Sequence, residues 1–258
     1  MFHAEPPRGF AAQPSSYPPA PPAPPPRRRV RRIVAGAGAL LGLAVAVAAG
    51  VQVVRELTRQ PTQLERDRAA IQEVARRWQA WPVGKVFPAT LPYTLDVGGA
   101  EKASRVGIDP AGSVCDAAVE ARLAGILRGH SCRGALRATY LDQLQGLAIT
   151  VGVVAFPDER SAALAKAKLP KTPGLRTLPL PGSVVARFTD TARQTSVARQ
   201  SGPYIVLATI GYADGRPAAK AKQRQTDLYT IAPQLAEAVL NPLAARAPVD
   251  CARETWSC

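Results

Sequence analysis

Histidine is almost absent from this 258-residue chain, which contains only His3 and His130. Because hydrolytic nucleophiles and catalytic zinc ions most often depend on histidine, this scarcity argues against both kinds of active site. The sequence also lacks Gly-x-Ser-x-Gly, His-Glu-x-x-His and a phosphate-binding glycine loop. We interpret His130, in "RGHSCRG", as an exposed turn residue. We therefore expect a protein that is not an enzyme, with no catalytic residue, no metal and no cofactor.

Acidic residues are also scarce, since 33 lysines and arginines face 19 aspartates and glutamates, a net charge of +14. Aromatic residues make up 5% of the chain and are not interleaved with the basic ones, so we expect no nucleic acid partner. The positive charge favours an anionic envelope polymer or lipid head groups as the binding partner. The alternative is a solvated basic face that binds no ligand. The basic surface predicted to bind consists of Arg160, Lys166, Lys168, Lys171, Arg216, Lys220, Lys222 and Arg224.

One long stretch carries no charge at all. Ile33–Val54 spans 22 residues, half of them Ala or Gly, and follows five arginines between Arg27 and Arg32. Its length of roughly 33 Å suffices for a hydrocarbon core of about 30 Å. The arginines predict a cytoplasmic N-terminus and an extracytoplasmic C-terminal domain. A cleaved signal peptide, cut after Ala46 or Ala48, is the alternative; the apolar run continuing to Val54 favours a single-pass anchor in the cell membrane.

The uncharged run divides the chain into parts of different composition. Residues 1–32 contain ten prolines between Pro6 and Pro26, which predicts a disordered cytoplasmic tail. This tail is either a spacer or a docking segment for a membrane or cytoplasmic protein partner. Residues 33–54 are the predicted transmembrane helix, 55–82 a juxtamembrane stalk helix and 83–258 the exported domain.

All four cysteines follow the apolar run. An even number on the exported side predicts disulfides, and four cysteines allow three pairings. We favour the nearest neighbours in sequence. Spacings of 17 and 7 residues, without Cys-x-x-Cys, argue against zinc. The favoured pairs are Cys115–Cys132 and Cys251–Cys258.

The exported part predicts an α+β fold with a mostly antiparallel sheet. Thr62 and Glu65 form a capping-box pattern that starts a helix ending at Pro82. "ALRATYLD" and "LAITVGVVAF" predict a hairpin turned near Gly146, and Asp158 predicts the cap of the next helix. "KVFPATLPYTLDV" is predicted to be extended and "SVCDAAVEARLAGILRG" helical. The segments "SVVARF", "QTSVAR" and "YIVLATIGY" are predicted strands, and Thr226–Ala245 a closing helix.

An internal repeat is also predicted. Residues 137–166 align without a gap onto 193–222, giving units near 137–168 and 193–224. Each copy contains a turn glycine and an aromatic-x-Asp-x-Arg motif, although chance matching in an Ala-rich chain is the alternative. We expect a duplicated hairpin-plus-helix unit with pseudo-twofold symmetry and a binding cleft between the lobes.

The Pro-rich tail, arginine cluster, Ala/Gly/Val run and Ala/Arg-rich domain resemble uncharacterised single-pass membrane proteins of actinobacteria. "GVVAFPDERSAALAKAKL" and "DLYTIAPQLAEAVLNPLAAR" are similar to segments of such exported proteins. The exported part also resembles the sensor domain of PknH-type receptor kinases, a disulfide-linked α+β domain behind one membrane helix. This second resemblance implies ligand sensing across a cleft. Residues 1–32 contain no kinase domain, so signalling would require a separate partner.

Three functions follow as hypotheses. The first is a membrane-anchored extracytoplasmic binding or sensing domain without catalysis. The second is a structural or assembly partner that recruits cytoplasmic machinery through its Pro-rich tail. The third is a secreted or anchored hydrolase that uses a pair of carboxylates, because residues that meet only in the folded chain are invisible in sequence.

Overall fold

The computed structural model describes residues 28–95, 98–109, 114–218 and 227–246. The chain divides into two compact units, Met1–Gln60 and Pro61–Cys258. The first unit contains helix α1 (Arg28–Thr58). An 18-residue window of its segment Gly36–Thr58 has a mean hydropathy of 2.1, and this is the one helix of the described chain long and apolar enough to span a membrane. The predicted apolar N-terminal helix is therefore confirmed, while its orientation and retention stay predictions.

The second unit begins with helices α2 (Gln63–Ala80) and α3 (Val83–Val86). The predicted capping box is present, because the Glu65 N–H donates to Thr62 Oγ1 at 3.3 Å and the Thr62 N–H donates to Glu65 Oε2 at 2.7 Å. α2 ends before Pro82, as predicted. The expected stalk helix over 55–82 is interrupted, however, since α1 ends at Thr58 and α2 begins at Gln63.

The core of this unit is a six-stranded, curled antiparallel sheet in the order β1-β2-β3-β4-β6-β5. The predicted α+β class and antiparallel pairing are thereby confirmed. Two hairpins, β3–β4 and β5–β6, lie side by side and are joined by the β4–β6 pair. The strands are β1 (Thr90–Thr94), β2 (Ala100–Ile108), β3 (Gly134–Leu141), β4 (Leu147–Ala155), β5 (Arg193–Ser201) and β6 (Tyr204–Tyr212).

Helices cover both faces of the sheet. α2 and α7 (Asp227–Ala244) pack on one face, and α7 contacts both edge strands, β1 and β5. The buried positions Leu228, Ile231 and Leu235 show the helical spacing that predicted α7. The other face carries α4 (Cys115–Ala118), α5 (Ala121–Gly129) and α6 (Glu159–Lys168).

Three expectations about local structure were wrong or incomplete. The helix predicted over 113–129 is split into α4 and α5, because Val119 forms a β-bridge with Leu175. "SVVARF" is not a strand, since Val184–Arg187 forms a 3₁₀ turn after Gly182, whose φ is +76°. Strand β2 was not predicted, because its sequence lacks apolar alternation and its pairing with β1 and β3 stabilises it instead.

A row of buried hydroxyls crosses the sheet on the α5–α6 face. Thr139, Thr150, Thr209 and Ser196 are successive cross-strand partners on β3, β4, β6 and β5. The hydroxyls of Thr139 and Thr150 lie 2.9 Å apart, and Thr209 donates to Ser196 at 3.0 Å. Residues 175–178, here called the strap, run over this row. The Leu178 N–H donates to Thr150 Oγ1 at 3.1 Å, so the row satisfies backbone groups of the strap.

The predicted duplication is not confirmed by the pairing. The order β3-β4-β6-β5 has a twofold pattern. Arg137 pairs with Gly152, so an offset of 56 residues would pair Arg193 with Ala208, but Arg193 pairs with Gly211. Duplication stays a prediction.

The aspartates at equivalent repeat positions also behave differently. Asp158 caps α6 by accepting from the Ser161 N–H at 2.7 Å, and this hydrogen bond lowers the pKa of Asp158. Asp214 instead lies in a turn beside Arg216, whose side chain lowers the pKa of Asp214. Only the first copy therefore shows the predicted cap within the described residues.

Candidate functional site

The predicted disulfide between Cys115 and Cys132 is present. It joins the first residue of α4 to the segment after α5, with Cα atoms 6.4 Å apart. A disulfide in this unit indicates an oxidising, extracytoplasmic environment. Cys251 and Cys258 lie outside the described residues, so their pairing stays a prediction.

Four of the predicted binding residues lie on α6 or just after it. Arg160, Lys168 and Lys171 are exposed, and Lys166 is half-buried. The helix packs on the sheet through buried Ala162 and Ala165, and these small side chains leave its outer side free for long cations. No carboxylate of the described chain forms an ion pair with any of the four basic groups. They form a solvent-facing patch, the α6 basic face (Arg160, Lys166, Lys168 and Lys171).

Arg216 lies apart from the α6 basic face. α6 follows the end of β4, Arg216 follows the end of β6, and Ala155 and Tyr212 lie at opposite ends of this antiparallel pair. The Arg216 guanidinium is neutralised by Asp214 at 2.6 Å and lies 4.4 Å from the centre of the Tyr212 ring. The structure does not bring Arg216 together with α6. Lys220, Lys222 and Arg224 lie outside the described residues.

A cleft that the sequence did not predict lies beside the β3–β4 turn. It has two cavities that share Glu101 and Asp142 in their linings, a polar cavity of about 480 Å³ and a mostly apolar cavity of about 320 Å³. The remaining lining of the polar cavity includes Lys102, Ser104 and Gln143. The apolar cavity is lined, in addition to the two carboxylates, by Tyr93, Leu95, Leu144, Gly146, Leu147, Tyr212, Arg216 and Ile231. We call the apolar cavity the acidic cup.

The two carboxylates of the acidic cup are held by neutral groups. The Tyr93 hydroxyl donates to Glu101 Oε2 at 2.5 Å. Burial raises the pKa of Tyr93, and the hydrogen bond to Glu101 and the charges of Glu101 and Asp142 raise it further, so this hydroxyl stays protonated. Asp142 Oδ1 accepts from the Leu147 N–H at 2.7 Å, an interaction that closes the β3–β4 turn. Neither carboxylate forms an ion pair with the described residues.

Sequence reasoning could have found part of this cleft. Asp142 begins the turn "DQLQG", and an aspartate before a glycine-containing turn commonly accepts a backbone N–H. Nothing local distinguishes Glu101 or Tyr93, because they reach the cleft only through the β1–β2 and β2–β3 pairings.

Comparison with known proteins adds no relative: no family model, no curated protein and no solved structure matches this chain. The fold and its features define an α+β domain with one intrachain disulfide among its described cysteines, following an apolar helix. The functional argument therefore depends on the α6 basic face and the cleft themselves.

Proposed function

We propose that this protein is a membrane-anchored binding or sensing protein of the cell envelope, with a cytoplasmic N-terminus and an extracytoplasmic domain that binds without catalysis. The observation that supports this proposal is the α6 basic face, where four cations have no ion-pair partner in the described chain. The disulfide and the apolar helix support the location. The ligand is an anionic envelope polymer or a lipid head group.

The reason for an anionic ligand is electrostatic. Cations that form no ion pair create a positive potential that attracts polyanions. This attraction weakens as salt shortens the Debye length from about 10 Å at 0.1 M to about 3 Å at 1 M. Leu164, which is 49% exposed, lies on the same helix between Arg160 and Lys168. This combination offers a ligand both charge and a small apolar contact.

Binding by the full-length protein in neutral detergent tests the proposal. The probes are inorganic polyphosphate, as a polymer, and vesicles of phosphatidylglycerol, with phosphatidylcholine vesicles as the uncharged comparison. We expect saturable binding to an anionic probe at 50 mM salt that weakens at least tenfold at 500 mM. Preference for polyphosphate identifies a polymer ligand, and preference for the anionic vesicles identifies a head group. Binding that is absent or independent of salt would contradict the proposal.

A charge-matched pair of variants localises the binding. R160Q/K166Q/K168Q/K171Q removes the α6 basic face and should weaken binding at least tenfold. The control removes four other exposed arginines, on α2, on α5 and in the segment after it, and gives the same net charge. Equal weakening by both variants would show non-specific attraction and reject α6 as the site. The control variant is R68Q/R76Q/R122Q/R133Q.

The Pro-rich tail motivates a second function, recruitment of a cytoplasmic partner, because ten prolines between Pro6 and Pro26 suit an extended ligand for an aromatic groove. Deleting residues 1–26 should abolish recovery of that partner and leave ligand binding by the exported domain unchanged. Recovery of the partner by the deletion variant would show that the tail is not the docking segment.

Catalysis by paired carboxylates is the competing function, because Glu101 and Asp142 line one cleft. A screen of the full-length protein against glycoside, ester and phosphoester substrates should give no turnover. Turnover that E101Q abolishes would overturn the non-catalytic proposal.

A further inference from the structure

We propose that the acidic cup is a second binding site, which takes a primary alkylammonium group on an apolar stem. This proposal is independent of the α6 basic face, because it concerns a different cavity and a ligand of opposite charge.

The first argument is an unpaired negative charge in a largely buried position. Asp142 is 8% exposed, and only its Oδ1 accepts a hydrogen bond from the described residues, from the Leu147 N–H. Burial of a carboxylate without a cation is costly. Asp142 lines the cup, and its Oδ2 accepts no hydrogen bond from the described residues.

The second argument is that the neighbouring cation is already engaged. Arg216 lines the cup, but its guanidinium is paired with Asp214 and stacked on Tyr212. Lys102 is exposed and lines the polar cavity but not the cup. The cup therefore presents two carboxylates, Glu101 and Asp142, whose charge is not compensated by an ion pair within the described chain.

The third argument concerns the shape and the rest of the lining. Leu144, 85% exposed at the tip of the β3–β4 turn, stands at the rim, and Leu147, Ile231 and the Tyr212 ring form apolar walls. A volume of about 320 Å³ suits a small ligand. The walls would contact a methylene stem while the ammonium group, with three N–H donors, reaches the carboxylates. The described residues offer no group of three metal-ligating side chains, so an organic cation fits better than a metal ion.

Calorimetric titration of the full-length protein in neutral detergent tests the proposal with matched probes. Hexylammonium should bind saturably, whereas hexanol and hexanoate, which share the stem, should bind at least tenfold more weakly. A second arm compares a lysine-containing peptide with its norleucine counterpart, because the same alkylammonium group is found in free amines and in lysine side chains. Binding of hexylammonium alone identifies a small-molecule ligand, and binding of the lysine peptide at lower concentration identifies a protein ligand. Absence of binding to either, or equal binding of hexanol, would overturn the proposal.

Isosteric variants keep the hydrogen bonds of the site and remove its charge. E101Q retains an acceptor for Tyr93 and D142N retains one for the Leu147 N–H, so the fold is expected to persist, and near-ultraviolet circular dichroism checks this. Each variant should weaken hexylammonium binding at least tenfold. The control D67N removes an exposed carboxylate on α2, outside the cup, and should bind as the wild type does. Folded E101Q and D142N proteins with unchanged affinity would refute the site, and neither outcome bears on the α6 basic face.

Discussion

Arg77, near the end of α2, donates a hydrogen bond to the carbonyl oxygen of Leu243, near the end of α7, at 3.1 Å. The same nitrogen reaches the carbonyls of Pro242 and Ala245, and a second guanidinium nitrogen pairs with Glu73 at 2.6 Å. The two N–H groups of one guanidinium nitrogen are therefore shared among three carbonyl oxygens at a helix C-terminus, where no intrahelical donors remain. The cation also complements the negative end of the helix dipole.

Replacing Arg77 should destabilise the exported domain strongly. The Arg77 side chain is 4% exposed, so R77M leaves the helix carbonyls and Glu73 without their partner. We expect a loss of about 3 kcal/mol in the free energy of unfolding, measured by urea denaturation. The exposed neighbour Arg76 provides the control, and R76M should change stability by less than about 0.5 kcal/mol. Similar losses for both variants would contradict the capping role.

Alkaline pH should destabilise the fold through Tyr204. Burial raises the pKa of Tyr204 to about 12, and its hydroxyl donates to the Val74 carbonyl. The unfolded chain releases this proton near pH 10 and the folded chain near pH 12, so the unfolded state binds fewer protons in that interval. The contribution of Tyr204 to stability is retained below pH 10 and should fall by about 1.4 kcal/mol per pH unit above it, in addition to any loss from Tyr93 and Tyr140, whose pKa values burial also raises. In Y204F the unfolding free energy should fall less steeply between pH 10 and 12, by the equivalent of one proton. An equal slope in Y204F and the wild type would show that Tyr204 does not cause the loss.

The hydroxyl row should contribute to stability through the strap. T150V removes the acceptor of the Leu178 N–H and the partner of the Thr139 hydroxyl, all within a buried layer. We expect a loss of about 2 kcal/mol in urea denaturation. Thr191, whose exposed hydroxyl contacts Thr189, is the control, and T191V should change stability by less than about 0.5 kcal/mol. A neutral T150V would mean that water replaces the lost hydroxyl.

Intact mass of the protein from native membranes tests the anchor and the cysteine pairing together. We expect a full-length mass that rises by four hydrogens on reduction, two from Cys115–Cys132 and two from the predicted Cys251–Cys258 pair. A mass increase of two hydrogens on reduction would mean that Cys115–Cys132 is the one disulfide in the protein. A mass that corresponds to a chain starting near Ala49 would instead show that a signal peptide is cleaved. The mature protein would then have neither the tail nor the anchor.

The features predicted correctly from sequence are those encoded locally. The capping box at Thr62, the β3–β4 hairpin and the periodicity of α7 each depend on residues close in the chain. β2 was not predicted because its stability comes from two neighbouring strands rather than from its own pattern. "SVVARF" was wrongly predicted as a strand because β-branched residues also suit a short turn after a glycine.

The candidate site shows the same division. The basic residues of α6 were singled out by their charge, which is visible in the sequence, and the structure leaves Arg160 and Lys168 exposed, while their role in binding stays a prediction. The acidic cup was not, because Glu101 and Asp142 are 41 positions apart and meet only through the sheet. The structural equivalence expected for the two Asp-x-Arg motifs is not seen, since Asp158 caps a helix and Asp214 lies in a turn.

The position of α7 on both edge strands has a consequence for export. In the proposed orientation the strands from Thr90 to Tyr212 cross the membrane before residues 227–244 do. During that interval the sheet face that bears Val151, Val206 and Ile210 has no helix α7 to cover it. Exposed apolar strands promote aggregation of incompletely folded chains. The exported domain should therefore complete its folding only after α7 is delivered, so that a helix translocated after all six strands commits the domain to its native state.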